Sequence, residues 1–207
     1  PHLDTTLVSE VAGKIIDASP SFNAGGFIAK GEMLLKIDDR DYQANVLRAK
    51  ANVETASSAM AQETGRAEVA RREWEKLPST AQRSQDARDL YLRIPQLRQA
   101  KAQLLSAQAD LRKAENDLER TIIRAPYDCL IDSKQSDLGR YVTPGTPLAR
   151  IFAVDYAEVR LAIPQSRLAY LDLPGVTGFS SGNQPLVDLY TDSSGDVIHW
   201  PAKMVRT

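Results

Sequence analysis

Thirteen residues occur twice in this chain in one rhythm, once on each side of a long helix-forming stretch. The first copy is Gly25-Gly26-Phe27-Ile28-Ala29-Lys30-Gly31-Glu32-Met33-Leu34-Leu35-Lys36-Ile37. The second is Gly139-Arg140-Tyr141-Val142-Thr143-Pro144-Gly145-Thr146-Pro147-Leu148-Ala149-Arg150-Ile151. Gly25/Ile28/Gly31/Leu34/Ile37 match Gly139/Val142/Gly145/Leu148/Ile151 in type and spacing. A repeat of this kind marks two similar structural units, here separated by an insertion.

The flanks of the insertion carry strand signals. Over Thr5–Asp38, short apolar groups such as Val8, Val11, Ile15-Ile16 and Leu34-Leu35 are cut by Gly13, Pro20, Gly25, Gly26 and Gly31. Over Ile122–Ile163, Ile122-Ile123, Leu130-Ile131, Tyr141-Val142 and Ile151-Phe152 are cut by Pro126, Gly139 and Pro144-Gly145. Both patterns predict small strands joined by tight turns. Further on, Gln165–Leu173 suits a short helix, and Leu186–Tyr190, an Asp192–Gly195 turn and Val197–Met204 predict a β-hairpin.

The insertion, Asp39–Thr121, is built from Ala, Arg, Glu, Gln and Leu, with Gly65 as its one glycine and Pro78 and Pro95 as its two prolines. This is helix-forming composition. Apolar residues follow a heptad at Tyr42, Val46, Ala49, Val53, Ala56, Met60, Ala67, Ala70, Trp74 and Leu77, with Glu63 the one polar member. A second heptad runs Leu97, Ala100, Leu104, Ala107, Leu111, Ala114, Leu118. A sustained period of about 3.5 residues is the pattern of coiled-coil packing. Two such runs predict an antiparallel helical hairpin. Asp38 is the expected N-cap, Leu77-Pro78-Ser79 the expected stop, Ser84 or Asp86 the cap of the return arm, and Pro95 its regular start or a kink. Arms of this length, ~50 Å at 1.5 Å per residue, cannot be buried by so small a domain.

Composition narrows the function classes. There are 26 basic and 27 acidic residues, and no basic run interleaved with aromatics, so nucleic acid is not an expected partner. The two histidines, His2 and His199, and the single Cys129 form no metal-ligand spacing. No catalytic residue, metal or cofactor is expected. No apolar run reaches the roughly 18 residues of a membrane span. Pro1–Glu10 has neither the basic start nor the apolar core of a signal peptide. Val197–Thr207 reads as a strand without a finishing element, so the expectation is a piece of a longer, exported protein.

The two half-motifs resemble the split lipoyl (biotinyl-like) motif of the membrane fusion protein family, the HlyD-like periplasmic adaptors of tripartite efflux pumps. Val11, Gly13, Gly25, Ile28, Gly31, Leu34, Ile37 and Asp38 match the first half. Thr121, Ile123, Ala125, Pro126, Asp128, Gly139, Val142, Gly145, Leu148 and Ile151 match the second. Arg72-Glu73-Trp74 and Pro95-Gln96-Leu97 resemble the branch serving RND-type transporters.

The resemblance implies an elongated α+β chain. Residues 5–38 and 122–156 would form a lipoyl-like β-sandwich, split by an α-helical coiled-coil hairpin at 39–121 with its tip near 78–94. Residues 157–207 would begin an antiparallel β-barrel domain. It also implies a periplasmic protein tethered to the inner membrane through a segment outside this chain. The implied partners are an RND-type inner-membrane transporter, a TolC-type outer-membrane channel and other copies of the same chain, six or so. The family's tip motif is an Arg, a Leu four on and a Ser seven further. Leu77 and Ser84 keep the second spacing, while Glu73 holds the first position with Arg72 beside it, so Arg72, Leu77 and Ser84 are the channel-contact candidates. Cys129 stands where the family has a turn glycine, and at φ > 0 it would be strained.

Other readings of single features are weaker. Gly26–Gly31 has phosphate-loop spacing, but Glu32 and Met33 follow where Lys and Ser/Thr are required. Asp38, Asp39 and Asp41 fit helix capping better than a cation site. Lys30 and Lys134 lie near turns, as a lipoyl or biotinyl carrier would need, but lack a carrier's flanking residues. Cys129 has no activating neighbour in sequence, and His199 reads as a strand residue. The alternatives kept open are an adaptor for an ABC-type exporter and, from another class, a carrier domain.

Overall fold

The computed structural model describes residues 3–76, 84–156, 158–160, 162, 164, 186–193 and 196–203. The chain divides into two units, Pro1–Glu158 and Val159–Thr207.

The first unit places four strands before the helices: β1 (Asp4–Val8), β2 (Gly13–Ala18), β3 (Phe27–Ile28) and β4 (Met33–Ile37). Four more follow them: β5 (Ile122–Arg124), β6 (Cys129–Lys134), β7 (Tyr141–Val142) and β8 (Pro147–Ala153). They form two antiparallel sheets, ordered β1-β8-β6-β3 and β5-β4-β2-β7. Each sheet takes two strands from each flank: the second flank supplies the inner pair of one sheet, and the first flank the inner pair of the other. Exchanging β1 with β5, β8 with β4, β6 with β2 and β3 with β7 converts one sheet order into the other. The sequence repeat is therefore a repeat of the pairing pattern.

The reason lies in burial. Strands β4 and β8 hold Leu34, Leu35, Ile37, Leu148, Ala149 and Ile151 out of water. Neither flank covers these residues alone. The core joins Val11, Ile15, Phe22, Ile28, Leu34, Leu35 and Ile37 to Ala125, Cys129, Ile131, Val142, Leu148, Ala149 and Ile151. Each large apolar side chain so buried contributes about 1.5–3 kcal/mol.

The turns repeat as well. Gly31 and Gly145 have φ of 82° and 86°, and an added Cβ would meet nothing within 4 Å at either. Glycine is needed there for the left-handed backbone, not for space. The N–H of Gly31 donates to the Ala125 carbonyl and that of Ala125 to the Glu32 carbonyl, at 2.8 and 3.0 Å. On the other side Gly145 donates to Ser9 and Ser9 to Thr146, at 2.8 and 2.9 Å. Gly25 and Gly139, at φ 80° and 86°, form a second matched pair against Ile131 and Ile15.

Cys129 departs from expectation. It opens strand β6, is fully buried in the core, and is not among the residues with positive φ, so no turn strain is present. Burial pushes its thiol pKa up.

Among the described residues three helices lie between the flanks: α1 (Arg40–Glu75), α2 (Gln85–Tyr91) and α3 (Ile94–Glu119). Helix α1 packs along α3. Every heptad position from Tyr42 to Trp74 is buried or half-buried, while the other residues of α1 are exposed. On α3, Leu97, Ala100, Leu104, Ala107, Leu111, Ala114 and Leu118 are likewise covered. The period of 3.5 therefore located the seam residue by residue.

One detail of the arm differs from expectation, and the return arm follows it with Pro95 at its regular start. The N-cap position of α1 is Asp39, not Asp38; Asp38 instead receives the backbone N–H and the guanidinium of Arg40. The return arm is not one helix. It breaks at Leu92–Arg93, and Pro95 falls in the first turn of α3, where its missing N–H costs nothing. The expected stop at Leu77–Ser79 lies outside the described residues; α1 ends just before it, with Lys76 as C-cap.

The second unit contains an antiparallel pair, β9 (Leu186–Ser193) and β10 (Asp196–Lys203). The strands run closer together than the expected Asp192–Gly195 turn, because Asp192, Ser193 and Asp196 are strand residues. His199 is a strand residue, as expected, and its Nδ1 lies 2.7 Å from an Asp188 carboxylate oxygen. The expected helix at Gln165–Leu173 lies outside the described residues.

Candidate functional site

The arm's socket comes first, because it fixes where the arm points. The two strands that feed the helices meet at their ends: the Ile37 N–H donates to the Thr121 carbonyl at 2.8 Å, and the Asp38 N–H to the Lys14 carbonyl at 2.9 Å. Thr121 is fully buried, and its hydroxyl donates back to the Leu118 carbonyl at 2.7 Å. Tyr42, the first seam residue, packs on the sandwich core and donates its hydroxyl to the Ala12 carbonyl at 2.7 Å. Burial raises its pKa, so the phenol stays a donor. Arg120 closes the other side through Glu10 at 2.8 Å. Gly13 belongs to this socket. A Cβ there would come within 2.5 Å of Ile37 Cγ2, so only glycine lets β2 pass beneath the root of the arm.

The remaining lipoyl-like positions sit where the repeat needs them. Gly25, Gly31, Gly139 and Gly145 hold the turns, Leu34 and Leu148 fill the core, and Ala125 ties the Gly31 turn. Pro126 is exposed between β5 and β6, and the nearby Asp128 carboxylate accepts the Lys30 N–H at 2.7 Å. Lys30 therefore sits in a clamped turn, and the Lys134 ammonium is engaged by Asp137 at 2.6 Å and lies over the Phe22 ring.

The acidic residues at the root are committed elsewhere. The Arg40 guanidinium, with the Arg40 backbone N–H, holds the Asp38 carboxyl down to about 2. Asp39 pairs with Lys36 at 3.2 Å and accepts from Gln43 at 2.9 Å.

Towards the far end of the arm, Arg72 is exposed in the last turn of α1 and pairs with Glu68. Ser84 caps α2, its Oγ accepting the Ala87 N–H at 3.3 Å. Leu77 lies outside the described residues. Trp74 and Tyr91 meet across the two arms as a tilted ring pair, with centroids 5.2 Å apart and planes at 53°. One feature here had little sequence signal. Glu63 stood out as the polar seam member, but Arg93 as its partner did not, because nothing in an Arg-Ile-Pro run announces a left-handed residue. Among the described residues no helix is long and apolar enough to cross a membrane.

A β-sandwich completed from both flanks of an inserted coiled-coil arm is the architecture that the chain shares with a solved membrane fusion protein. It is 30% identical over 166 residues to the multidrug resistance protein MdtA of Xenorhabdus bovienii (strain SS-2004), covering 79% of this chain and 38% of that protein. The chain thus spans less than half the length of the curated relatives it matches. Among solved structures, the membrane fusion protein Spr0693 of Streptococcus pneumoniae R6 aligns with a TM-score of 0.57 at 16% identity, over 99% of this chain and 87% of that one. A MacA-MexA chimera carrying the Pseudomonas aeruginosa MexA α-hairpin domain aligns with a TM-score of 0.55 at 18% identity, over 96% and 62%. At these identities the structural likeness shows the fold. No protein-family model matches the chain.

Proposed function

We propose that this chain is the arm-bearing part of a periplasmic adaptor that links an RND-type inner-membrane transporter to a TolC-type outer-membrane channel for export of small molecules. The observation that carries this reading is the rooted arm: a two-helix coiled coil held at its base by Tyr42, Thr121 and Arg120 on a sandwich that neither flank completes alone. Such an object reaches and assembles; its role is mechanical and not enzymatic. The multidrug resistance protein to which the chain is similar supports the efflux assignment, and the Arg72–Trp74 and Pro95–Leu97 stretches support the RND branch.

In this reading, residues 5–38 and 122–156 are the lipoyl-like domain, 39–121 the hairpin, and 157–207 the start of a β-barrel domain facing the transporter. Residues 78–94 form the tip, with Arg72, Leu77 and Ser84 on or beside the channel contact. Polar outer faces of the helices meet neighbouring copies, six in the assembled pump, and the channel's own helices. The protein works in the periplasm, tethered to the inner membrane.

Site-specific photocrosslinking from positions 77 and 84 of the full-length protein in its host tests this. Capture of an outer-membrane channel protein is expected. Capture of nothing from either position, while a probe in the barrel segment does capture the transporter, would remove the tip assignment.

A further inference from the structure

The return arm breaks at one residue, and that residue is tied to the one polar member of the seam. Arg93 has φ 58° and ψ 28°, and among the described residues it is the sole non-glycine with positive φ. A side chain in this region costs energy and persists only where its surroundings hold it. Helix α2 ends against it: the Leu92 N–H donates to Arg88 and the Arg93 N–H to Leu90, at 2.9 and 3.1 Å. Helix α3 begins from it, the Leu97 N–H reaching the Arg93 carbonyl at 2.9 Å, with Pro95 fixing φ in the first turn. The opposite arm, α1, runs through its 36 residues without interruption.

Glu63 lies on that unbroken helix, in the seam between Met60 and Ala67, with its side chain only 11% exposed. Its two carboxylate oxygens take Arg93 Nε and Nη2, the second at 3.1 Å, and Arg66 Nη1 stands 3.6 Å away. A fork of this kind has a defined direction, unlike a flexible lysine contact. A polar residue at one seam position fixes register at some cost in stability. Beyond the break, α2 packs on α3, and the Trp74–Tyr91 ring pair holds it to α1.

We propose that Glu63 and Arg93 form a latch across the seam that fixes a joint at Leu92–Arg93 and so sets the segment Gln85–Tyr91 as a separately oriented piece of the return arm. The latch supplies what the left-handed residue lacks on its own, a fixed surrounding. With it closed, α2 keeps one orientation on α3. With it open, α2 keeps its packing on α3 and the aromatic pair but loses the fixed joint, and samples several, while the seam below the joint stays zipped. This inference does not depend on the adaptor reading.

Spin-label distance measurements on the whole chain test it. Cysteine pairs at the exposed positions Ala61 and Arg88 report across the joint, and pairs at Ala51 and Gln108 report the seam below it. The native Cys129 is fully buried and does not compete for label. In the parent chain both pairs should give narrow distributions. In Glu63→Ala, and in Arg93→Gly, which accepts the left-handed backbone but removes the fork, the joint pair should broaden and the seam pair should not. Arg93→Lys, keeping the charge without the fork, should broaden the joint pair less. An unchanged joint pair in Arg93→Gly would overturn the proposal, as would broadening of both pairs together, which would make the contact a general support of the coiled coil.

Discussion

In the sandwich, Leu34 and Ile151 share one core with residues more than a hundred positions away, and every inner strand has one neighbour from the far flank. In the arm, α1 packs on a helix that follows it closely in the chain, along a seam whose most buried apolar residues, Val46, Ala49, Ala67 and Ala100, keep a little exposure. The head thus buries large side chains completely and depends on both flanks. The arm buries small ones partly and depends on periodicity. The difference teaches which part is the anchor. A thin two-helix seam leaves most of its surface in water and cannot by itself hold an orientation, so orientation is set at the root, by Tyr42, Thr121 and the Glu10–Arg120 pair.

The most severe way to break this comparison is deletion. Replacing residues 40–119 with a short turn should leave a folded sandwich, because the Ile37 N–H and the Thr121 carbonyl are already hydrogen-bonded at 2.8 Å. Removing residues 122–153 instead should abolish folding of β1–β4, since half of their core goes with it. Amide exchange of the two fragments reads the outcome; protection in the second fragment would mean that one flank folds alone.

A single side chain gives a smaller effect. Leu34→Ala in the fully buried core should cost about 2–5 kcal/mol in chemical denaturation. Leu104→Ala in the half-buried seam should cost about 1–2 kcal/mol. Equal losses would erase the distinction between the two regions.

The smallest expected effect sharpens the internal symmetry. Gly31→Ala and Gly145→Ala face open space at matching φ, so each should cost about 1–2 kcal/mol, and by equal amounts. Unequal losses in denaturant melts would show that the two turns are alike in geometry but not in the strain they carry.

The seam was legible because a heptad is a local code: each position depends only on residues three and four away, and all its described members in α1 and α3 are covered. The paired turns were legible because left-handed backbone nearly demands glycine. Cys129 shows the limit of that logic. A glycine position inferred by resemblance is, in this chain, a strand residue in the core, and the cysteine fills space instead of bending the backbone. The cap of α1 shifted by one residue because Asp38, Asp39 and Arg40 compete for the same groups, and side-chain geometry settles that competition.

By itself the amino-acid order determined that two like halves flank a coiled-coil arm, since glycine spacing and apolar period are written locally. Only the tertiary structure decided that each half brackets the other's inner strands, that Tyr42 reaches Ala12, and that Arg93 turns left-handed opposite Glu63. Those contacts join residues about 30 or more positions apart, and their energy exists only once the chain has closed on itself.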